Sequence, residues 1–569
     1  MAKLERLIIK HFRGIENFEQ RFKGGITCII GRGDSGKSTI LDAISYVFSQ
    51  SWCVHLNDSD FYKCDTNTPI IIEGVVSAVP EEMLQKYDKH LRGIKSDGTL
   101  VDDMESHDAV DADPVLTIRL TIKKDLEPSW DVVSYNGVEP TTIKTNDRSK
   151  LNVFTVSDYA DRHFSMSKGN PLYSLYKQLD EDAQQDNGNA VLDIVREAKS
   201  AFDRSVSDKF TAVISKIETK AKELGITLNE VKAMLDQRDI AINENKVSIH
   251  EDGVPFRLKG KGSKRLLSLA IQLALSEPSG VILIDEIEQG LEPYRARHLV
   301  ATLSKYTDRQ IILTTHSSHV IVEIPCEALY IMRESARSLK HVEGDVQGCV
   351  RNNPDAFFGR KVLVCEGPTE IGLTRAFDGY RTANGKESYA CCGICAIDGH
   401  GKNLENYVKG FKSLDYETAL LCDSDDDTLK KKELIDAGAT VFDWDEGLAL
   451  EQQLFYDVSW EVVKEFLSLY YTNCEKEGAS QDEAKKRVFS QVVSILGRKE
   501  TYNEHWLDQE KDELRKALGK AAKQGKGWYK TIGKGEALGA ILFSHFLELD
   551  ETKSTIRKKL DELSNWIDS

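Results

Sequence analysis

No segment of this chain approaches the roughly 20 apolar residues that a membrane-crossing helix requires, which excludes a helical membrane protein. A secretory leader is missing too, because Met1-Ala-Lys-Leu-Glu-Arg-Leu-Ile-Ile-Lys10 opens as an alternating strand. Cysteine shows no disulfide framework. The eleven are scattered, and Cys28, Cys365 and Cys422 sit inside apolar strand-like runs, which suits reduced, buried thiols and a cytoplasmic location. Cys392-Gly-Ile-Cys395 has the spacing of half a zinc site, but no second Cys or His pair accompanies it, so strand-flanking thiols are the reading. Positive charge is not in excess either. With 75 Lys and Arg against 92 Asp and Glu, the formal net charge is −17. That weighs against a protein that coats nucleic acid and leaves room for an enzyme with local basic groups. Internal repeats and long coiled coils are absent as well.

What is there is an ordinary globular composition, 40% hydrophobic and 29% charged, over 569 residues, enough for several domains. Residues 3–10 and 26–30 read as strands with Gly24-Gly25 as a turn between runs. Ile26-Thr-Cys-Ile-Ile30 leads straight into Gly31-Arg32-Gly33-Asp34-Ser35-Gly36-Lys37-Ser38-Thr39, a full G-x-x-x-x-G-K-S loop. Ile40, Leu41, Ile44, Val47 and Phe48 then fall at helical spacing. A strand, a glycine-rich loop and a helix in that order cradle phosphates with backbone N–H groups. Lys37 reaches the β- and γ-phosphates of a nucleoside triphosphate, ATP, and Ser38 holds Mg²⁺.

A second half of such a site follows. Val281-Ile-Leu-Ile-Asp285-Glu286 is an apolar strand ending in two carboxylates, Asp285 suited to Mg²⁺ through water and Glu286 to orienting the attacking water. Gln289-Gly-Leu-Glu-Pro293 comes next, and Gln310-Ile-Ile-Leu-Thr-Thr-His316 is another strand, ending in a histidine near the γ-phosphate. Upstream, Leu258-Lys-Gly-Lys-Gly262-Ser263 opens an amphipathic helix. Alternating stretches at 69–77 and 115–123 predict a β-rich lobe, with an acidic loop over 96–113 between two of its strands. From 158 to about 240 the pattern is helical. Phe202, Val206, Phe210, Val213, Ile217, Ala221 and Leu224 form one apolar stripe. The stripe belongs either to an inserted helical hairpin, a dimerisation element, or to a helix packed on its own domain. Strand character returns at Lys246-Val-Ser-Ile249, and residues 335–356 read as a polar linker.

The downstream part carries a different chemistry. Lys361-Val-Leu-Val-Cys365 is a short strand followed by Glu366 and, four residues on, Glu370. Ile394-Cys-Ala-Ile397 is another strand, and Thr418-Ala-Leu-Leu-Cys422 a third, with Asp423-Ser-Asp425-Asp426-Asp427 at its end. Sites of parallel α/β sheets gather at the carboxyl ends of strands, so both acidic clusters face one crevice. Four carboxylates together repel phosphate and one another unless metal intervenes. Oxygen-only ligands suit Mg²⁺ or Mn²⁺, and two such ions about 4 Å apart promote in-line displacement at a phosphodiester. A late basic cluster, Arg515-Lys516, Lys520, Lys523, Lys526, Trp528-Tyr529-Lys530 and Lys534, is either a nucleic-acid surface, with bases stacked on the aromatics, or a solvated helix face.

The upstream pieces resemble the ATP-binding cassette heads of chromosome-maintenance and recombination ATPases. That resemblance implies that Ser263 belongs to a signature motif capping the γ-phosphate across a head-to-head dimer. It makes Asp285, Glu286 and His316 the metal aspartate, catalytic glutamate and switch histidine, and puts Phe12-Arg13 near the nucleotide. The signature lacks the usual pair of glycines after the serine, and the coiled-coil arms of those ATPases are missing. The acidic clusters resemble the Toprim domain of topoisomerases, bacterial primases and some nucleases, with Asp427 as a third family aspartate. Together the two resemble the OLD (overcoming lysogenization defect) nucleases, which include Gabija-type and retron-associated defence nucleases. The resemblance implies that Glu366, Glu370, Asp423, Asp425 and Glu451 bind two metals and that a late lysine, Lys534 with Lys530 as competitor, steadies the scissile phosphate.

The expected fold is α/β: an ABC-type ATPase head in two parts, 1–157 and 244–340, with a helical insertion at 158–243. A linker at 341–357 and a Toprim domain with a Rossmann-like parallel sheet at 358–569, carrying a helical insert at about 455–525, complete it. The expected function is that of an ATP-binding, Mg²⁺- or Mn²⁺-dependent DNA endonuclease in anti-phage defence, with ATP as regulator, working as a homodimer or higher oligomer. Relatives work alone, beside a helicase-like protein, or with a reverse transcriptase and its DNA–RNA hybrid. The alternatives are a topoisomerase- or primase-like Toprim enzyme, and an ATPase clamp whose acidic site is dead.

Overall fold

The computed structural model describes residues 2–104, 107–156, 163–165, 170–179, 202–235, 247–276, 280–333, 338–343, 346–426, 428–524 and 527–569. They form two compact units, Met1–Val342 and Glu343–Ser569.

The first unit is built on two sheets. An antiparallel sheet of eight strands is centred on Lys3–Phe12, Ile70–Ser77 and Asp113–Ile122. A six-stranded sheet carries the nucleotide loop. Its parallel strands run in the order Val153–Val156, Val281–Ile284, Gln310–Thr314, Gly25–Ile30 and Leu329–Ile331, and Lys340–His341 closes the edge antiparallel. Val281–Ile284 and Gln310–Thr314 are buried at every position, as strands covered on both faces must be. The helix Lys37–Val47 buries Ile40, Leu41, Ala43, Ile44 and Val47. Each fully buried Ile, Leu or Val contributes about 1.5–3 kcal/mol, and this stripe joins both sheets in one core. Gly74, in the middle of a strand, is where the Phe48 ring lies: a Cβ there would come within 2.3 Å of it.

Several local readings are corrected. A strand to which the sequence reading gave no element, Ile15–Arg21, pairs with Lys3–Phe12; its alternation is blurred by charged residues on the solvent face. Gly25 opens the next strand instead of ending a turn. The 158–240 stretch is not helical throughout: Val231–Leu235 is a strand paired with Val247–Glu251. Of the apolar stripe, Phe210, Val213, Ile217, Ala221 and Leu224 are buried, and their helix, Phe202–Glu223, packs on the helix Lys261–Leu275 of its own unit. The side chains of Phe202 and Val206 lie outside the described residues. The polar stretch read as a linker contains a helix, Gln347–Asn352, and a 3₁₀ turn, Pro354–Phe358, which bury Cys349, Val350, Ala356 and Phe357. Four apolar anchors were enough to fold it despite its polar composition.

The second unit centres on four parallel strands in the order Ile394–Asp398, Lys361–Cys365, Glu417–Cys422, Thr440–Asp443. The helices Trp460–Lys476, Gln481–Ile495 and Asp512–Lys523 stand between the last strand and the final helices, Ile532–Ser544 and Thr555–Asp568. Lys361, fully buried at the start of its strand, donates to Trp566 O and Ser569 Oγ at 2.7 and 2.8 Å and so ties the last helix to the sheet. The helix Pro368–Ala383 meets Ile532–Ser544 backbone to backbone. A Cβ on Gly372 would come within 2.3 Å of Ile532 O, one on Gly535 within 2.6 Å of Thr369 O, and one on Gly539 within 2.6 Å of Ala376 Cβ.

That contact admits no side chain. Gly535→Ala is therefore expected to destabilise the second unit by about 1–3 kcal/mol through overpacking, read as a lowered melting temperature; an unchanged melt would show that the helices can part.

Candidate active site

Two separate sites are assembled, one in each unit. In the first, the chain leaves Gly25–Ile30 and wraps through Gly31 to Gly36 into the helix Lys37–Val47. Gly31 (φ 155°) and Gly36 (φ 98°) take backbone conformations that side chains resist, and a Cβ on Gly31 would press to 2.4 Å of Met332 O. Asp34 also has positive φ. A Cβ on Gly33 would meet nothing, so its bareness serves the loop's open face and not packing. Lys37 is buried and donates to Gly31 O (2.9 Å), Arg32 O (2.6 Å) and Ser35 Oγ (3.5 Å). Burial lowers its pKa, against the pull of Asp285 and Glu286. Ser38 is exposed and Thr39 half-buried on the helix's first turn.

Of the other predicted nucleotide residues, Asp285 and Glu286 lie in the field of Lys37. Thr314 Oγ1 donates to Asp285 Oδ1 at 2.5 Å and accepts from Glu286 N at 2.8 Å, fixing the Asp285 carboxylate and the Glu286 backbone to the neighbouring strand. Glu286 has φ 46°. Ser263 lies half-buried in the first turn of Lys261–Leu275. Arg265, one turn further in, donates to the carbonyls of Asp285 and Glu286 and to Gln289, so the helix start is tied to the acidic turn. Gly262 is required there, since a Cβ would come within 2.4 Å of Gly290 O. His316 is exposed. Its N–H donates to Glu288 Oε1 at 2.7 Å and Thr315 Oγ1 donates to Glu288 Oε2 at 2.6 Å. Glu288, two residues past Glu286, escaped the sequence reading, where it looked like one more acid in a turn. Arg13 is engaged by Asp60 (2.8 Å) and Asp42 (2.5 Å). Burial works to lower its pKa, but those two carboxylates outweigh it and the net direction is upward.

In the second unit the carboxylates converge. Glu366 follows Lys361–Cys365, and Asp423 follows the adjacent Glu417–Cys422. Glu370 sits in the first turn of Pro368–Ala383, and Glu451 in the first turn of Leu450–Asp457. Asp423 N donates to Glu366 Oε2 at 2.8 Å, and Leu450 N donates to Asp423 Oδ1 at 2.8 Å. Glu370, Asp423 and Glu451 are buried; Asp425 is exposed. Burial first, and then the neighbouring Asp423, push up Glu366, Glu370 and Glu451, Glu451 to about 7. Burial raises Asp423 as well, partly offset by the Leu450 N–H and by Lys523. The ligand atoms are all oxygens and their mutual repulsion is only partly relieved, which fits a hard divalent cation such as Mg²⁺ or Mn²⁺. Among the described residues, no three His, Cys, Asp or Glu side chains are placed to hold an ion as they stand. Lys523 Nζ reaches Asp423 Oδ2 at 3.5 Å and pairs with Asp425 Oδ2.

The late basic cluster resolves differently from either reading. Trp528 and Tyr529 are buried, with Tyr529 Oη donating to Phe466 O, so neither offers a face for bases. Arg515 is buried on the carbonyls of Phe455 and Val458. Lys534 is not on the carboxylates: its Nζ bonds Glu477 Oε1 at 2.6 Å. Lys530, exposed, lies in the field of Glu451. Lys516 and Lys520 are exposed on the helix that ends at Lys523. Asp427 and Lys526 lie outside the described residues. All eleven cysteines are free, Cys392 and Cys395 included. No helix among the described residues is long and apolar enough to cross a membrane.

Comparison with known proteins agrees with this division. Residues 26–323 match the family described as AAA domain, putative AbiEii toxin, Type IV TA system, and residues 357–425 match the overcoming lysogenization defect protein-like TOPRIM domain. An OLD nuclease of Thermus scotoductus is 24% identical over 351 residues, 58% of this chain and 62% of that protein, so the chain spans less than two thirds of the relative's length. Among solved structures, an Smc head domain from Pyrococcus furiosus, bound to the C-terminal domain of ScpA, is 16% identical with TM-score 0.36, over 60% of this chain and 96% of that one. The SMC head domain from Thermotoga maritima is 18% identical with TM-score 0.30, over 60% of this chain and 99% of that one. The fold is α/β, an ABC-type ATPase head followed by a Toprim domain.

The buried carboxylates have a measurable signature. Unfolded, Glu451 titrates near 4.5; folded, it keeps its proton to about 7. Between those values the native state binds more protons, so stability is lost as pH rises. Without divalent cations the melting temperature should fall as pH rises through that window, with the raised Glu366, Glu370 and Asp423 adding to the fall. Glu451→Gln should lessen the slope; an equal slope in that variant would mean that Glu451 contributes nothing to it.

Proposed function

We propose that this chain, which belongs to the AAA-domain family and joins that domain to an overcoming-lysogenization-defect-like Toprim domain, is an ATP-binding, divalent-metal-dependent DNA endonuclease. One observation carries the proposal: Glu366, Glu370, Asp423 and Glu451, from distant stretches of chain, lie past the carboxyl ends of parallel strands and push up one another's pKa, three of them buried and Glu366 half-buried. Two Mg²⁺ or Mn²⁺ ions, when bound, supply a polarised phosphate and a water of lowered pKa. Glu366, Glu370, Asp423, Asp425 and Glu451 are the residues that hold them, with Asp427 the further acid of the run. Glu366 also accepts the proton of the attacking water, which adds to phosphorus as the sugar oxygen leaves.

The charge that builds on the phosphate is assigned to Lys530, because it lies in the field of Glu451 while Lys534 is bonded to Glu477. Exposed Lys516 and Lys520 supply contacts to the flanking DNA backbone, which is how a chain of net charge −17 binds a polyanion. In the ATPase head, Lys37, Ser38, Asp285, Glu286 and His316 take the triphosphate and its Mg²⁺, with Ser263 closing the site from a second copy. ATP regulates the cut, since the signature is too degenerate to demand rapid turnover. The biological role proposed is anti-phage defence in the cytoplasm, as a homodimer or larger assembly, alone or beside a helicase-like protein or a reverse transcriptase with its DNA–RNA hybrid.

Plasmid incubated with the protein and Mg²⁺ or Mn²⁺ should be nicked or linearised, and Asp423→Ala should reduce this by at least about 10²-fold. Relaxed, religated product would favour the topoisomerase reading instead, and equal DNA integrity with and without the substitution would favour the inactive clamp. Lys37→Ala should abolish the response of nicking to ATP concentration.

The two lysines are separated by kinetics. Lys530→Ala should lower kcat by about 10²-fold, while Lys534→Ala costs less; the reverse order returns the phosphate-steadying role to Lys534.

A further inference from the structure

Lys523 was one lysine among several in the sequence, yet its position is tightly constrained by the helix that carries it. Its helix, Asp512–Lys523, lies against Leu450–Asp457, the helix that carries Glu451. Gly519 allows that approach, since a Cβ there would come within 3.0 Å of Gln452 Cα. Arg515 locks it by donating to Phe455 O and Val458 O at 2.7 and 2.6 Å. Ala517, Leu518, Ala521 and Ala522 are buried beneath it. Lys523 is therefore delivered to the acidic crevice by a rigid element.

There it holds Asp425 Oδ2 and stands 3.5 Å from Asp423 Oδ2. Asp423 Oδ1 already accepts from Leu450 N, which leaves Oδ2 as its less committed oxygen. Glu366 Oε2 is likewise committed, to Asp423 N. A divalent cation that takes Asp423 Oδ2 needs the lone pairs the ammonium now uses, and at about 4 Å two cations repel by several kcal/mol in a partly buried setting. The two occupants exclude each other. The lysine side chain is 29% exposed, so it leaves by rotation alone.

We infer that Lys523 is a built-in counter-ion of the acidic site, occupying the Asp423–Asp425 pair until a divalent cation displaces it and freeing its ammonium, on the same helix edge as Lys516 and Lys520, for an anionic substrate. The inference rests on the metal-site reading of the proposed function. It implies an order: cation first, DNA second.

The test is Mn²⁺ binding to the full chain without DNA, by electron paramagnetic resonance or calorimetry. Lys523→Met should bind Mn²⁺ at least about 10-fold more tightly than wild type, and Lys523→Arg, which keeps the cation, should stay near wild type. Lys523→Met should also melt lower without metal and gain more from Mn²⁺ than wild type does, which checks folding on the same sample. Wild type that binds Mn²⁺ with Lys523→Met equal or weaker overturns the counter-ion role and leaves the metal site standing. No Mn²⁺ binding by any of the three overturns the metal-site reading and this inference together. Neither outcome depends on whether DNA is cut.

Discussion

The second unit is organised around one carboxylate that cannot be left alone. Asp423 is buried, and every polar atom it offers is used: its N–H by Glu366, one oxygen by the Leu450 N–H, the other by Lys523. The partners come from 57, 27 and 100 residues away in the chain. An uncompensated buried charge costs several kcal/mol. The strand end, the start of the Leu450–Asp457 helix and the end of the Asp512–Lys523 helix are thus held to one point by the need to satisfy it. The inserted helices are part of the site for this reason, since they bring Lys523, whose ammonium reaches Asp423 and Asp425.

The first unit meets the same problem with the sign reversed. Lys37 is a buried cation, and it folds back on the carbonyls of its own loop. Those carbonyls are weak partners for an ammonium compared with phosphate oxygens. On the proposed reading each site holds a substitute for its ligand taken from its own chain: carbonyls in place of phosphate on one side, an ammonium in place of a divalent cation on the other. Neither substitute neutralises its site fully. Lys37 still sits beside Asp285 and Glu286, and the acids around Asp423 still push one another's pKa upward.

How much of this was readable beforehand depends on distance along the chain. The strand, loop and helix around Lys37 are contiguous, and so are the strand ends at Asp285, Glu366 and Asp423; a period of two followed by a turn is enough to find them. Glu451 came only through family resemblance, since nothing local marks it. Pairings across long gaps were not legible. Arg13 gives no sign that Asp42 and Asp60 will take its guanidinium. Trp528 and Tyr529 look like a stacking surface until the helices that bury them are in place. Lys523 and Lys534 are alike in sequence, and only the fold sends one to Asp425 and the other to Glu477. The strands Ile15–Arg21 and Val231–Leu235 were hidden because half their positions face solvent or lie in a stretch of helical spacing.

What makes ligand exchange at the acidic site a matter of side chains is the glycine-mediated packing behind it. Gly372, Gly535 and Gly539 bring the helix of Glu370 against Ile532–Ser544, and Gly519 brings the helix of Lys523 against that of Glu451. Backbones in such contact cannot slide without opening voids or clashes, and packed interiors resist both. The carboxylate-bearing frame is consequently fixed before any cation arrives. The remaining freedom is in the torsions of Lys523 and of the acids themselves. On the metal-site reading, a site of that kind changes occupancy at little conformational cost, and its selectivity is set by which cation competes best with a tethered ammonium.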